Sequence, residues 1–180
     1  MQYRRITAPG GTFFFTLVTF ERRKIFVDDL AVDLLRQAFR SVLMKHPFKI
    51  EAAVVLPDHL HMLWSLPEGD SDYSTRWRLI KSTFTHHWGS AKDIPNTASR
   101  QIKGEQAVWQ RRFWEHLIRD DLDWQRHVEY IHYNPVKHGL VRAPVEWRHS
   151  SFHTFVKQAL YSPDWGAGEV PKIDLEVGGE

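Results

Sequence analysis

At 180 residues with 42% hydrophobic content, the chain suits one compact domain with room for a real core. A formal net charge of +2, a pI near 8.9 and eleven histidines permit a nucleic-acid partner without demanding one. The lack of cysteine excludes disulfides and thiolate-bound zinc, so any metal must be held by histidine, carboxylate or amide groups. No apolar run approaches the ~20 residues that span a bilayer, and the N-terminus does not resemble a signal peptide, so a cytoplasmic protein without a membrane partner is expected.

After a Pro9-Gly10-Gly11 turn, residues 12–20 are dense in aromatic and β-branched side chains and predict a buried strand. Leu30, Leu34, Leu35, Ala38, Phe39 and Val42 recur at helical spacing, which predicts a helix over 28–45 with Asp28 or Asp29 as cap and His46-Pro47 as stop. Residues 48–56 and 59–66 read as two strands joined by the short Pro57-Asp58 turn, and hence as antiparallel neighbours. A second helix is predicted over 74–87, with Trp77, Ile80 and Phe84 as its apolar stripe. The polar segment 89–104, broken by Pro95, reads as a mobile loop that could order on DNA. A fourth strand is predicted over 108–118, then a helix over 122–133 that is capped at Asp120 or Asp121 and interrupted at Asn134-Pro135. Residues 136–140 suit one further helical turn. The order predicts an α+β, ferredoxin-like βαββαβα sandwich over 1–143, an antiparallel sheet with helices on one face. A tail over 144–180, carrying Trp147, Phe152, Phe155 and Trp165, packs back on it, with its last residues loose.

His59-Leu60-His61 opens a strand, and alternation sends both imidazoles to one face, where they preset two ligands for one cation. Alone the pair is a weak signal among eleven histidines. On the last helix, Tyr130 and Asn134 are four apart and share a face, so a third ligand and a nucleophile can be presented together. An amide oxygen beside two imidazoles suits Mg²⁺ or Mn²⁺ about as well as zinc, and a phosphate substrate favours the first two. Read singly, Tyr130 is an ordinary core tyrosine, and Asn134 an ordinary helix terminator before proline. Tyr133 is a rival nucleophile, but it neighbours Asn134 and so faces elsewhere, which favours Tyr130.

The runs Leu56-Pro57-Asp58-His59-Leu60-His61-Met62-Leu63-Trp64 and Tyr130-Ile131-His132-Tyr133-Asn134-Pro135-Val136-Lys137-His138-Gly139 resemble the single-tyrosine HUH transposases of the IS200-like family. Flanking segments, among them Ser74-Thr75-Arg76-Trp77 and Trp109-Gln110-Arg111-Arg112-Phe113-Trp114-Glu115-His116, are similar to its REP-associated tyrosine transposase branch. That resemblance implies a domesticated bacterial enzyme, cytoplasmic and nucleoid-associated, that nicks and rejoins single-stranded DNA at hairpins of repetitive extragenic palindromes. It places the metal ligands on His59, His61 and Asn134 and the nucleophile on Tyr130, where a 5′-phosphotyrosine intermediate would form. Arg4, Arg5, Arg76, Arg78, Lys81, Arg111, Arg112 and Lys137 are candidate DNA contacts, with Trp109 as a stacking platform. His127 and His132 are candidate helpers outside the catalytic set. A non-catalytic hairpin-binding protein and a water-using phosphodiesterase are the competing readings. A monomer or homodimer is expected, with the tail favouring the monomer.

Overall fold

The structure is a computed structural model and describes residues 6–89, 108–168 and 177. Its main elements are β1 (Thr12–Val18), α1 (Asp29–Lys45), β2 (Lys49–Val55), β3 (His59–Ser65), α2 (Tyr73–His87), β4 (Trp114–Leu117), α3 (Asp121–Lys137) and α4 (Phe152–Lys157). The four strands form one antiparallel sheet in the order β2-β3-β1-β4. β3 lies between β1 and β2, as a split βαβ unit requires.

Each long helix starts at an aspartate whose carboxylate accepts a first-turn N–H. Asp28 takes Leu30 N at 2.9 Å, Asp72 takes Thr75 N at 2.9 Å, and Asp120 takes Asp123 N at 2.8 Å. The even-numbered and odd-numbered residues of β1 serve different layers. Phe13, Phe15 and Leu17, with Leu60, Met62 and Trp64 of β3, pack under α1 and α2, where the Trp64 and Trp77 rings stack 4.1 Å apart. Phe14, with Ala52, Val54 and Leu63, packs on the opposite side under Val128, Tyr130 and Ile131 of α3. The helices therefore cover both faces, which corrects the expectation that they share one. The physical reason is that the middle five residues of β1 and the first six of β3 are buried, so neither face can be left to water.

Two boundaries also differ from expectation. The fourth strand is only Trp114–Leu117; upstream, Trp109 makes a single bridge to Thr19. And α3 continues through Asn134-Pro135 to Lys137. Pro135 lies in the last turn, where its missing N–H deprives only the Ile131 carbonyl. Closure follows at once, with Leu140 N donating to Pro135 O at 2.9 Å and Gly139 N to Val136 O at 2.9 Å. Gly139, at φ +65°, supplies the left-handed residue this closure needs. The segment expected to be a mobile loop lies, apart from Gly89, outside the described residues, as do nearly all of the last ones of the tail.

The tail seals the other edge of the sheet. Val55 N donates to His149 O, Ser151 N to Ala53 O and Trp147 Nε1 to Val55 O, at 2.8–2.9 Å, so β2 presents no open edge there. Ser151 also locks the tail to α3. Its Oγ accepts Ala53 N at 2.9 Å and is also hydrogen-bonded to His132 Nε2, 2.7 Å away. His132 is fully buried, and burial pushes its pKa down to about 3 from the ordinary 6.5. Below pH 6.5 the unfolded chain takes up a proton that the folded chain refuses, so stability falls as pH drops from 6.5 towards 3 and is unaffected above. The expected loss from this residue between pH 7 and pH 5 is about 2 kcal/mol. Urea unfolding of wild type and His132→Gln at both pH values measures it, because the variant should lose that increment while the other histidines contribute equally to both.

Candidate active site on the face under α3

β3 begins directly after the Pro57-Asp58 turn, and its first and third side chains point at α3. His59 and His61 are 2% and 0% exposed, with ring centroids 5.0 Å apart and planes near perpendicular. Each ring is oriented through Nδ1. Asp58 Oδ1 lies 2.6 Å from His59 Nδ1, and Thr16 Oγ1, from the neighbouring strand, lies 2.9 Å from His61 Nδ1. Partial burial works to raise the Asp58 pKa, but the hydrogen bond and charge of His59, together with Arg22 at 3.4 Å, hold it below its ordinary value. An ionised Asp58 can only accept, so His59 donates from Nδ1, which leaves Nε2 as the atom that would turn to a ligand.

α3 runs over this pair with Tyr130 and Asn134 at helical spacing, and His138, its C-cap, continues the stripe. The Tyr130 ring meets the His61 ring edge-on at 5.2 Å, and the His138 ring meets that of His59 at 5.1 Å. Asn134 is one turn from each and is thereby bracketed between the two contacts. It is fully buried, and neither Oδ1 nor Nδ2 has a hydrogen-bond partner among the described residues. Leaving a buried amide unpaired costs roughly 1–3 kcal/mol per group, so the position favours something that accepts a lone pair from its oxygen. Lys137 Nζ donates to Tyr130 Oη at 3.0 Å and lies 4.7 Å from the ring centroid. Two imidazoles, an amide and a phenol carrying an ammonium partner thus gather on one face of the sheet.

The family profile described as "Transposase IS200 like" matches residues 11–134, a span that includes His59, His61, Tyr130 and Asn134. The chain belongs to the IS200-like transposase family. Within it, a REP-associated tyrosine transposase of Escherichia coli K12 is 45% identical over 169 residues, covering 94% of this chain and 92% of that protein. A Haemophilus influenzae Rd protein, provisionally given the same name, is 41% identical over 180 residues, covering 97% and 98%. The solved structure of a REP-associated tyrosine transposase bound to a REP hairpin is 43% identical, with a TM-score of 0.79 over 97% of this chain and 96% of that one. The REP-associated branch is therefore the one to which the chain belongs.

In this chain the other expected positions divide sharply. Arg76 is 3% exposed, with its guanidinium bonded to the carbonyls of Asp72 and Pro47 at 2.8 Å, to that of His46 at 3.3 Å and to Asp70 at 2.6 Å. It ties α2 to the end of α1 and is not a DNA contact. Trp109 is 5% exposed and fills the core against Phe26 and Phe84, so it offers no stacking platform. Lys81 donates to the Gln110 carbonyl at 2.7 Å. Arg78, Arg111 and Arg112 are exposed, whereas Arg4 and Arg5 lie outside the described residues. His132 serves the tail, and His127 has an unpartnered Nε2, so neither hydrogen-bonds the Tyr130 hydroxyl. Sequence reasoning missed the orienting roles of Asp58 and Thr16 and the place of His138. The first was adjacent to the histidine pair and could have been suspected; a threonine two strands away in the chain carried no signal.

If the Asn134 amide is unpaired, replacing it by an apolar side chain of similar volume removes a penalty. Asn134→Leu in the metal-free protein is therefore expected to raise stability by about 1–2 kcal/mol in urea unfolding. A destabilised variant would mean that the amide is satisfied within the protein.

Proposed function

We propose that this protein is a divalent-metal-dependent endonuclease and strand transferase that nicks and rejoins single-stranded DNA at hairpins of repetitive extragenic palindromes. Its nucleophile is Tyr130. The observation that carries the reading is the unpaired Asn134 amide, bracketed between the His61–Tyr130 and His59–His138 contacts. Family membership and the hairpin bound to the related solved structure support it.

The donor set of His59, His61 and Asn134 fits Mg²⁺ or Mn²⁺, whose Lewis acidity would polarise a scissile phosphate. The chain's own groups supply the rest. Tyr130 Oη forms the bond to phosphorus as the bond to the 3′-oxygen breaks, giving a 5′-phosphotyrosine and a 3′-hydroxyl. The phenolic proton leaves to water, and the departing oxygen takes one up. Attack by a 3′-hydroxyl reverses the exchange, and no bond energy is spent. A phenol with an ordinary pKa of ~10 is a poor nucleophile at neutral pH. The Lys137 ammonium, on the hydroxyl at 3.0 Å, offsets the negative charge that oxygen carries when it gives up its proton for attack and again when it departs in the reverse step. This replaces the phosphate-contact role first expected of Lys137. Arg78, Arg111 and Arg112, with Arg4 and Arg5, are the proposed contacts to the DNA backbone.

The test incubates the protein with a labelled hairpin oligonucleotide and Mn²⁺ and looks for an adduct that survives denaturant. Tyr130→Phe should bind the hairpin and form none, and Lys137→Met should form it about 100-fold more slowly. Cleavage that persists in Tyr130→Phe assigns the attack to water and overturns the reading. Separately, changing Arg111 and Arg112 together to alanine should weaken hairpin binding and lower the slope of log K against log salt by about 1 for each phosphate that is no longer neutralised.

A further inference from the structure

A second group of titratable side chains lies on the same face of the sheet, at the entry to α3. His116 Nε2 is 2.8 Å from Asp123 Oδ2, and His127 Nδ1 is 3.2 Å from Asp123 Oδ1 and 2.7 Å from the Asp123 carbonyl. The two imidazoles stack at 4.6 Å with an 18° tilt, and Trp114 continues the stack beyond His116. The ligand-type atoms of the three residues lie within 4.8 Å of one another, which raises the question of a cation. The carboxylate is already engaged. Its Oδ2 accepts from His116, from Arg119 N at 3.0 Å and from Arg119 Nε at 3.3 Å, so a cation would have to displace these donors beside a guanidinium. Burial works against its ionisation, but the His116 hydrogen bond, the Arg119 N–H and the nearby charges of the two histidines hold Asp123 at about 2. It is a fixed anion serving hydrogen bonds.

From this anion a chain of contacts reaches the proposed nucleophile. The His127 ring lies 4.8 Å from that of Phe14, and Phe14 meets Tyr130 edge-on at 6.0 Å and stacks on His61 at 5.5 Å. His127 precedes Tyr130 by three residues, so both bear on Phe14 from one helix face. His127 is 2% exposed with its Nε2 unpartnered, whereas leucine or phenylalanine would cover Phe14 with no orphan nitrogen. What the imidazole adds over an apolar side chain is one directional bond, from Nδ1 to the Asp123 backbone carbonyl, with the Asp123 carboxylate 3.2 Å away, and a flat face for the His116 ring to stack on.

We propose that His116, Asp123 and His127 are positioning residues that lock the first turns of α3 to β4 and, through Phe14, fix the orientation of the Tyr130 ring over His61. The proposal rests on Tyr130 being the nucleophile for its catalytic consequence, but not for its structural one. An attacking oxygen misplaced by about 1 Å can cost about 100-fold in rate, so a network of this kind acts on turnover while leaving hairpin affinity alone.

The experiment labels the five tyrosines with 3-fluorotyrosine and assigns Tyr130 through the signal that disappears in Tyr130→Phe. Wild type, His127→Leu, Asp123→Asn and His127→Gln are compared by ¹⁹F NMR without DNA and by single-turnover adduct formation with Mn²⁺. Expected is one narrow Tyr130 signal in wild type, and a split or broadened one in His127→Leu and Asp123→Asn. In those two, adduct formation should slow about 10- to 100-fold with hairpin Kd changed by less than about 2-fold. His127→Gln, whose amide can still donate to the Asp123 carbonyl, should recover most of both. An unchanged Tyr130 signal in His127→Leu and Asp123→Asn overturns the proposal, as does a loss confined to melting temperature. Should those two variants fail to fold, His127→Gln decides alone, a wild-type signal supporting the network and a disordered one refuting it. Should wild type form no adduct, the function proposed above fails while the ¹⁹F comparison still decides the network.

Discussion

Burial of β1 and β3 on both faces is the constraint from which the rest of the molecule follows. Two central strands without a solvated side cannot be covered by α1 and α2 alone, so α3 must close the second face. That second layer differs in kind from the first. The α1/α2 side is a continuous aromatic and aliphatic core running from Phe13 to Trp109, whereas the α3 side mixes Phe14, Leu63 and Ile131 with His59, His61, Thr16, His127 and Asn134. Polar groups in a dry layer have to be paired or left at a cost. Here most are paired within the sheet or helix, and the Asn134 amide is not. The apolar face contributes the stability that lets the polar face carry such a group.

Seating α3 so firmly requires support from outside as well. The segment 147–151 extends the sheet past β2, and Ser151 joins that extension to His132 on the outward side of α3. Phe155 and Tyr161 pack against the same imidazole at 4.6 and 5.4 Å. The helix bearing Tyr130 is thus held between its own sheet and its own tail, and a rotation that carried the phenol away from His61 would have to break both. Pro135 serves the same end. It brings the helix to a stop in which Lys137 still reaches back to the Tyr130 hydroxyl and His138 still reaches His59.

Much of this was legible in the residues. Alternation placed His59 and His61 on one face, and spacing placed Tyr130 and Asn134 together, because both periods are properties of the backbone itself. The unbroken run Phe13-Phe14-Phe15 also implied cover on both sides, although the expectation of helices on one face did not use it. Direction of charge was not legible. Arg76 and Arg78 are two residues apart on one helix, yet the first is enclosed by carbonyls and Asp70 and the second is exposed, a difference set by the turn at His46-Pro47 that packs there. Trp109 beside Arg111 suggested a stacking surface, but an indole is equally suited to a core, and only the position of Phe26 and Phe84 decides between them. Lys137 is ambiguous for the same reason: a basic residue at the end of such a helix looks alike in sequence whether it meets a phosphate or a phenol.

Two histidine-bearing groups on one sheet face invite the same inference, and the way to separate them is to ask what each donor atom already does. Around Asp123 the carboxylate has a full set of donors, including a guanidinium, and His127 Nδ1 is spent on a backbone carbonyl. Adding a cation there would trade good hydrogen bonds for coordination and bring two like charges together. Beneath Asn134 the situation is reversed. The imidazoles are oriented from behind through Nδ1, by a carboxylate and a hydroxyl, and the Asn134 amide has no hydrogen-bond partner among the described residues. In the first arrangement the carboxylate that would have to bind a cation is already satisfied, although His127 Nε2 is not, whereas in the second the oxygen that would bind one is unsatisfied. Proximity of ligand-type side chains is common to both, so proximity cannot be the criterion; unsatisfied capacity can.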